Sequence, residues 1–251
     1  MLEKEEQLLK KRISELASLC YRRDIRTNTG FLNLNEQAIF HSMERMLPPV
    51  SAVVFGGFDM AERKIVCFLP SYEQDTENFP IDRLEIAPVN ARFSEELGHR
   101  DFLGALMGLG VDRSCIGDIM MTDAGCVLFC LEQMSEFLMR ELKSVRRTAV
   151  CCRRAEGLSG FSQAYEEISG SVSSPRLDSL ISLVFRLSRA KALSFISGEK
   201  AFINGRLALS AGQRLSGGEI VSVRGLGKFC YVGAGNGTRK GRMFVTARRY
   251  T

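Results

Sequence analysis

The chain has 251 residues, 45% apolar and 25% charged, the balance of a globular protein and not of a disordered or fibrous one. Its length suits two or three compact domains, and the sequence has no apolar run of 18 residues that could cross a membrane. The net charge of +5 hides an asymmetry: 20 Lys/Arg against 26 Asp/Glu up to Pro175 (net −6), then 14 Lys/Arg against 3 Asp/Glu from Arg176 onward (net +11).

An acidic front and a basic end point to a polyanion partner for the C-terminal part. The start, "MLEKEEQLLKKR", is charged and helical, without the apolar core of a signal peptide. The expected helix runs from Glu3 to Arg22, with Leu8, Leu9, Ile13, Leu16 and Leu19 as its apolar stripe. A second helix is expected over Asn35–Met46, capped by Asn35 and stopped before Pro48. "VSAVVFGG" and "RKIVCFLP" read as a hairpin. Together these elements make an N-terminal α/β unit over 1–78, ending in the polar connection "SYEQDTENFP".

The next stretch, 79–157, has a clearer rhythm. "RLEIAPV" is strand, and "SEELGHRDFLGALMGLG" is a helix capped by Ser94 and closed at Gly110. "CIGDIMM" and "GCVLFCL" flank the turn "TDAG", "EQMSEFLMRELKSV" is a helix, and "RRTAVCCRR" is a final strand. The order β-α-β-β-α-β is that of a ferredoxin-like, RRM-like domain. Phe129 offers one strand aromatic, but there is no basic-glycine-aromatic signature. An RNA-facing role and a spacer role both stay open for this domain.

A Ser/Gly-rich linker is expected over 158–174, with room for a short strand or helix inside it. The basic module at 175–240 then opens with a helix capped by Ser174, with Pro175 at its first turn. Leu177, Leu180, Ile181, Val184 and Phe185 repeat at helical spacing. Ser188 caps a second helix, whose start carries Arg189 and Lys191, where backbone N–H groups and cations would meet a phosphate together. "EKAFINGRLAL" is strand, Asn-Gly turn, strand, and "GGEIVSVRGLGKFCYVG" adds two more strands. Residues 241–251 read as a basic tail.

The segments "RLDSLI", "SRAKALSFISGEKAFINGR" and "SGGEIVSVRGLGKF" resemble the S4 RNA-binding domain, with Glu219 where that family often has Asp. "GHRDFLGALMGLGVDRSCIGDIM" and the domain order resemble the YlmH-type bacterial S4-domain proteins. The fold class implied is α+β and multidomain: an N-terminal α/β unit, an RRM-like middle domain and a C-terminal S4 (αL-type) domain. The S4 resemblance implies RNA contacts from Arg176, Ser188, Arg189, Lys191, Lys200, Asn204 and Arg206, with Arg224 and Lys228 as weaker additions; Arg186, on the polar face of the first basic helix, and Arg100, inside the YlmH-like stretch, are further candidates. It also implies a cytoplasmic, non-enzymatic protein on ribosomal RNA of the large subunit, with tRNA and ribosomal proteins as further partners, acting in ribosome quality control or rescue. No cofactor and no membrane insertion are expected. A joint Arg189→Ala, Lys191→Ala change is expected to weaken RNA binding without unfolding the chain.

Other motifs carry less. Asp178, in "RLD", matches letters used by some pseudouridine synthases, but it stands three positions into the first basic helix, where the helix dipole and Arg176 account for it. His99-Arg100-Asp101 spells a kinase catalytic loop without the Gly-rich loop or "DFG" that kinases need. "VVFGGFD" lacks dinucleotide spacing, and His41 near Glu44 has no third metal ligand in view. None of the eight cysteines forms a CxxC pair, so they read as free, mostly buried thiols in a reducing compartment. Two rival functions stay open: an S4-anchored RNA-modifying enzyme (pseudouridine synthase or methyltransferase) and a cell-division adaptor.

Overall fold

The computed structural model describes residues 2–58, 61–73, 79–155, 165–237 and 242–250. The chain divides into two units, Met1–Gly160 and Phe161–Thr251. Among the described residues no helix is long and apolar enough to cross a membrane.

In the first unit, α1 (Leu2–Arg23) buries Ile13, Leu16, Ala17 and Cys20, an i, i+3, i+4, i+7 stripe. Leu8 and Leu19, expected in the stripe, are 69% and 38% exposed because they fall off this arc. β1 (Thr27–Asn28) precedes α2 (Leu34–Met43). Its cap is Asn33, not Asn35: the Asn33 side chain accepts from the Glu36 N–H, and the Glu36 carboxylate accepts from the Asn33 N–H at 2.6 Å. That reciprocal box satisfies two end donors, which Asn35 inside the helix could not do. β2 (Ser51–Phe55) and β3 (Ile65–Leu69) form the expected antiparallel hairpin, with β1 on the far edge of β3. Val66 and Phe68 pack beneath Ile13 and Phe40.

The same unit continues with β4 (Ile81–Pro88), α3 (His99–Gly108), β5 (Ile116–Thr122), β6 (Gly125–Leu131), α4 (Glu132–Glu141), β7 (Ser144–Val145) and β8 (Thr148–Arg154). Their sheet has the order β5-β6-β4-β8-β7, antiparallel throughout. Without the small edge piece β7, that is the split βαβ arrangement. Ser94 does not cap α3. It closes a 3-10 turn over Ala91–Phe93, and the helix starts at His99, where the Asp101 carboxylate accepts from the Gly98 N–H at 2.9 Å. Asp101 of the "HRD" letters is therefore a capping group, and it also meets Arg146 at 3.6 Å.

The two faces of this sheet have different fates. Leu84, Ile86, Leu128 and Cys130 pack under Phe102 and Leu106 of α3 and Leu138 of α4. Burial pushes the Cys130 and Cys152 thiols up to about 12, so they stay neutral, small apolar fillers. The opposite face carries Phe129, which is 1% exposed because the N-terminal elements lie on it. The Phe58 ring stands 5.0 Å from that of Phe129, and Gly117 accommodates Phe31. Arg63 donates to the carbonyls of Phe31, Arg113 and Ile116 at 2.7–3.1 Å, while Asp118 accepts from the Glu62 and Arg63 N–H groups. A sheet face that RRM domains leave open for stacked bases is here an internal seam.

Gly57 makes the seam possible. Its φ is +99°, and a Cβ there would lie 2.3 Å from the Phe129 ring. Gly57→Ala is expected to destabilise the unit by about 2–4 kcal/mol from backbone strain and overpacking together. Gly104→Ala is the control: it lies in α3 with no atom within 4 Å of the added methyl and should stabilise by up to about 1 kcal/mol. Urea unfolding of the two variants checks both signs.

The second unit contains β9 (Tyr165–Val172), α5 (Leu177–Val184), α6 (Arg189–Ser197), β10 (Ala201–Ile203), β11 (Arg206–Leu207), β12 (Ile220–Val223), β13 (Gly227–Gly237) and β14 (Met243–Tyr250). The sheet order is β11-β10-β12-β13-β14-β9, again antiparallel throughout. Two stretches differ from the sequence reading. Part of the expected linker, 158–164, lies outside the described residues, and the remainder is largely the edge strand β9. The expected basic tail is largely β14, inserted between β13 and β9. Alternation explains both: Val245 and Ala247 of β14, and Ile168 and Val172 of β9, reach the core.

α5 and α6 cover one face of this sheet, with Leu177, Leu180, Ile181 and Val184 against Val221, Phe229 and Val245. α5 begins two residues later than Ser174 and Pro175 suggested. Arg176 holds the cap position, and the Leu177 and Asp178 N–H groups donate to the carbonyls of Gln213 and Ala211 at 2.9 and 3.2 Å. A crossing loop, not a serine, satisfies the helix start.

Candidate nucleic-acid interface

The helix pair is tied by one buried carboxylate. The Asp178 side chain is 2% exposed, and three groups converge on it. The Ser179 N–H donates at 2.8 Å, Arg189 donates from Nε at 3.1 Å with Nη2 at 3.0 Å, and Arg176 Nε lies at 3.3 Å. The arginines themselves reach solvent, with side-chain exposures of 39% for Arg176 and 55% for Arg189. Asp178 therefore sets the direction of two guanidinium groups that otherwise would wander. Arg189 is a structural partner as well as a surface cation, so the joint Arg189→Ala, Lys191→Ala change would disturb the fold locally as well as the surface.

Ser188 caps α6 as expected, its Oγ accepting from the Lys191 N–H at 3.2 Å. That use leaves Ser188 a helix former first. Lys191 is exposed, its ammonium 5.7 Å from the Phe195 ring. The next basic group flanks the β10–β11 hairpin. Asn204 and Gly205 take φ +47° and +75°, the two left-handed positions of a tight hairpin turn. Asn204 Oδ1 accepts from the Ile220 N–H at 2.9 Å, and its Nδ2 points to Glu219 at 3.4 Å. Glu219 in turn accepts from the Ser216 N–H. Asn204 and Glu219 brace the loop, so the cations beside them, Lys200 and Arg206, are the groups offered outward; both are exposed.

The Arg224 N–H donates to the Lys200 carbonyl at 2.8 Å, which places the β12–β13 turn beside the start of β10. The Arg224 guanidinium lies 4.8 Å from the Phe202 ring, and the Lys228 ammonium 5.1 Å from that of Tyr250. Arg186, at φ +52°, pairs with Glu166 at 3.2 Å. Arg100 lies on α3 of the first unit and is exposed. The geometry thus brings Arg176, Arg189 and Lys191 together at the facing ends of α5 and α6, and Lys200, Arg206 and Arg224 around the hairpin. Sequence reasoning missed the link from Asp178 to Arg189, for which no local pattern exists across eleven residues. It also missed Arg248 and Arg249 as strand residues, although "MFVTARRY" carries a period-two signal.

Comparison with known proteins adds an independent line. Residues 74–157 match the family model described as "Putative RNA-binding domain in YlmH". The "Ribosome-associated protein quality control protein P2" of Bacillus subtilis (strain 168) is 27% identical over 227 residues, 88% of this chain and 86% of that protein. The solved structure "Cell division protein ylmH from Streptococcus pneumoniae" superposes with a TM-score of 0.50 at 18% identity, over 60% of this chain and 91% of that one. That last likeness is one of fold.

Proposed function

We propose that this chain is a YlmH-type RNA-binding protein that works on the ribosome, a reading supported by the family-model match over residues 74–157 and by the Bacillus subtilis relative. The relative from Bacillus subtilis is named for ribosome-associated quality control, which supports that setting. Its site is the cationic surface at the ends of α5 and α6 and around the Asn204-Gly205 turn, which we read as an S4-type module. The observation that carries the reading is the Asp178 cluster, in which a buried carboxylate orients Arg176 and Arg189 at the surface of a segment with net charge +11. Oriented guanidinium groups suit phosphate in a way that scattered lysines do not.

The finer reading is that the RNA is that of the large subunit, that peptidyl-tRNA is a second contact, and that the protein acts by binding in the cytoplasm, without a cofactor or a chemical step. The covered Phe129 face assigns the base-stacking surface of the middle domain to internal packing. Any RNA contact of that domain would then use its helices, its loops or the edge at β7. Sequencing RNA crosslinked to the protein in cells tests the proposal. The expected result is a concentrated signal on one large-subunit helix and on tRNA. Diffuse signal across cellular RNA, or signal confined to the small subunit, would reject it.

A further inference from the structure

The sheet of the second unit has a second face, and its composition is unlike that of a solvated surface. Ala201, Ile203, Val221, Val223, Phe229 and Ala247 point into the core beneath α5 and α6. Their strand neighbours therefore point the other way. The strand register lines these up into one row. Leu207 of β11 pairs with Phe202 of β10, Phe202 with Ser222 of β12, Ser222 with Lys228 of β13, and Tyr250 of β14 with Tyr165 of β9. Lys228 and Tyr250 close the row, the ammonium lying 5.1 Å from the ring. A single line thus crosses all six strands.

Each of its three rings has its own cation. Arg224 lies 4.8 Å from Phe202, Lys228 5.1 Å from Tyr250, and Arg248 4.9 Å from Tyr165. Tyr165 is 39% exposed and Leu207 is 37% exposed, and Phe244 on the same face is 48% exposed. One carboxylate, Glu167, answers Arg248 at 3.4 Å. The row from Phe202 to Tyr165 spans four strand spacings, about 19 Å, room for a few bases side by side.

We propose that this face binds an unpaired segment of RNA. The inference rests on the RNA-binding reading of the unit, but it assigns a different surface and a different RNA structure from the helix-pair site. Unpaired bases expose π faces that stack on aromatic rings and on guanidinium planes, while the same cations neutralise phosphate. A duplex hides its base faces and offers only backbone, which suits the helix-pair surface instead. Two RNA structures would then be gripped by opposite sides of one small unit: a folded helix by α5, α6 and the hairpin, and a loop or single strand by the sheet. The alternating rings and cations favour this occupant over an acidic protein, which would need the cations but not the rings.

The test uses the full chain and two labelled probes, an oligo-uridine of about ten nucleotides and a stable RNA hairpin with a short loop. Two sheet variants are compared with wild type: Tyr165→Leu combined with Arg248→Gln, and Arg248→Gln alone. Unchanged urea unfolding confirms that each is folded, and the single Arg248→Gln change keeps the test alive if the double variant is not. The expected result is a loss of about tenfold or more in oligo-uridine affinity with less than a twofold change on the hairpin. Lys191→Gln should show the reverse order. Unchanged oligo-uridine affinity in folded sheet variants would overturn the inference, as would equal losses on both probes or a wild type that binds the hairpin alone. A wild type that binds neither RNA would overturn the RNA-binding reading as well.

Discussion

Asp178→Ala is expected to destabilise the second unit by about 3 kcal/mol and, against simple charge counting, to weaken RNA binding. The carboxylate is 2% exposed and holds Arg176, Arg189 and the Ser179 N–H at once. Removing the hub of a buried ion cluster costs about 3–5 kcal/mol where the partners are left buried. Here both arginines reach solvent, which places the cost at the low end. Arg189→Ala should cost less, about 1–2 kcal/mol, because Arg176 still answers the carboxylate. On charge alone, deleting an anion from a basic surface would raise affinity for RNA. The geometry predicts a fall of about tenfold, because two guanidinium groups lose the direction that a bidentate phosphate contact needs. Urea unfolding and RNA titration of the same variants check both parts. A destabilisation under 1 kcal/mol, or tighter RNA binding, would contradict the role given to Asp178.

The second large effect concerns Lys191, Lys200 and Arg206. All three are exposed. Replacing the three together by glutamine should leave stability within about 1 kcal/mol. Affinity for a structured RNA should fall by at least about a hundredfold at low salt. The slope of log affinity against log salt should become shallower by about 2–3, since each lost phosphate contact contributes about 0.9. A parallel shift with unchanged slope would mean that these side chains do not touch phosphate.

Local pattern and sheet assembly were unequally legible in the sequence. The middle domain could be read in order because each strand and helix has its own period. Helix starts were harder. Asn33 and Asn35 are equally good caps by residue type, and only the carboxylate of Glu36 decides between them. Ser94 and Ser174 look like caps, yet α3 uses Asp101 and α5 uses loop carbonyls that arrive from residues 211 and 213. The most informative difference lies at 165–172 and 243–250, which are strands. Ser, Gly and Arg content spoke for linker and tail, but β9 and β14 need each other: β14 fills the place between β13 and β9. A strand whose partner lies about eighty residues away leaves no sign of the pairing in its own composition. The seam over Phe129 was equally invisible, because a glycine pair after a strand says nothing of which ring it will meet. For the candidate site, the cations were legible as cations. The carboxylate that aims two of them, and the difference between bracing Asn204 and outward Lys200 and Arg206, required the fold.

Co-sedimentation of the purified chain with separated ribosomal subunits, across a salt series, tests the central claim most directly. The account predicts that the wild type travels with the large subunit and not the small one, and that binding is lost steeply as salt rises. The Lys191, Lys200, Arg206 triple variant should remain in the supernatant at salt where the wild type is bound. Equal sedimentation of that folded variant with the large subunit would contradict the assignment of the RNA interface to the ends of α5 and α6 and the adjoining hairpin.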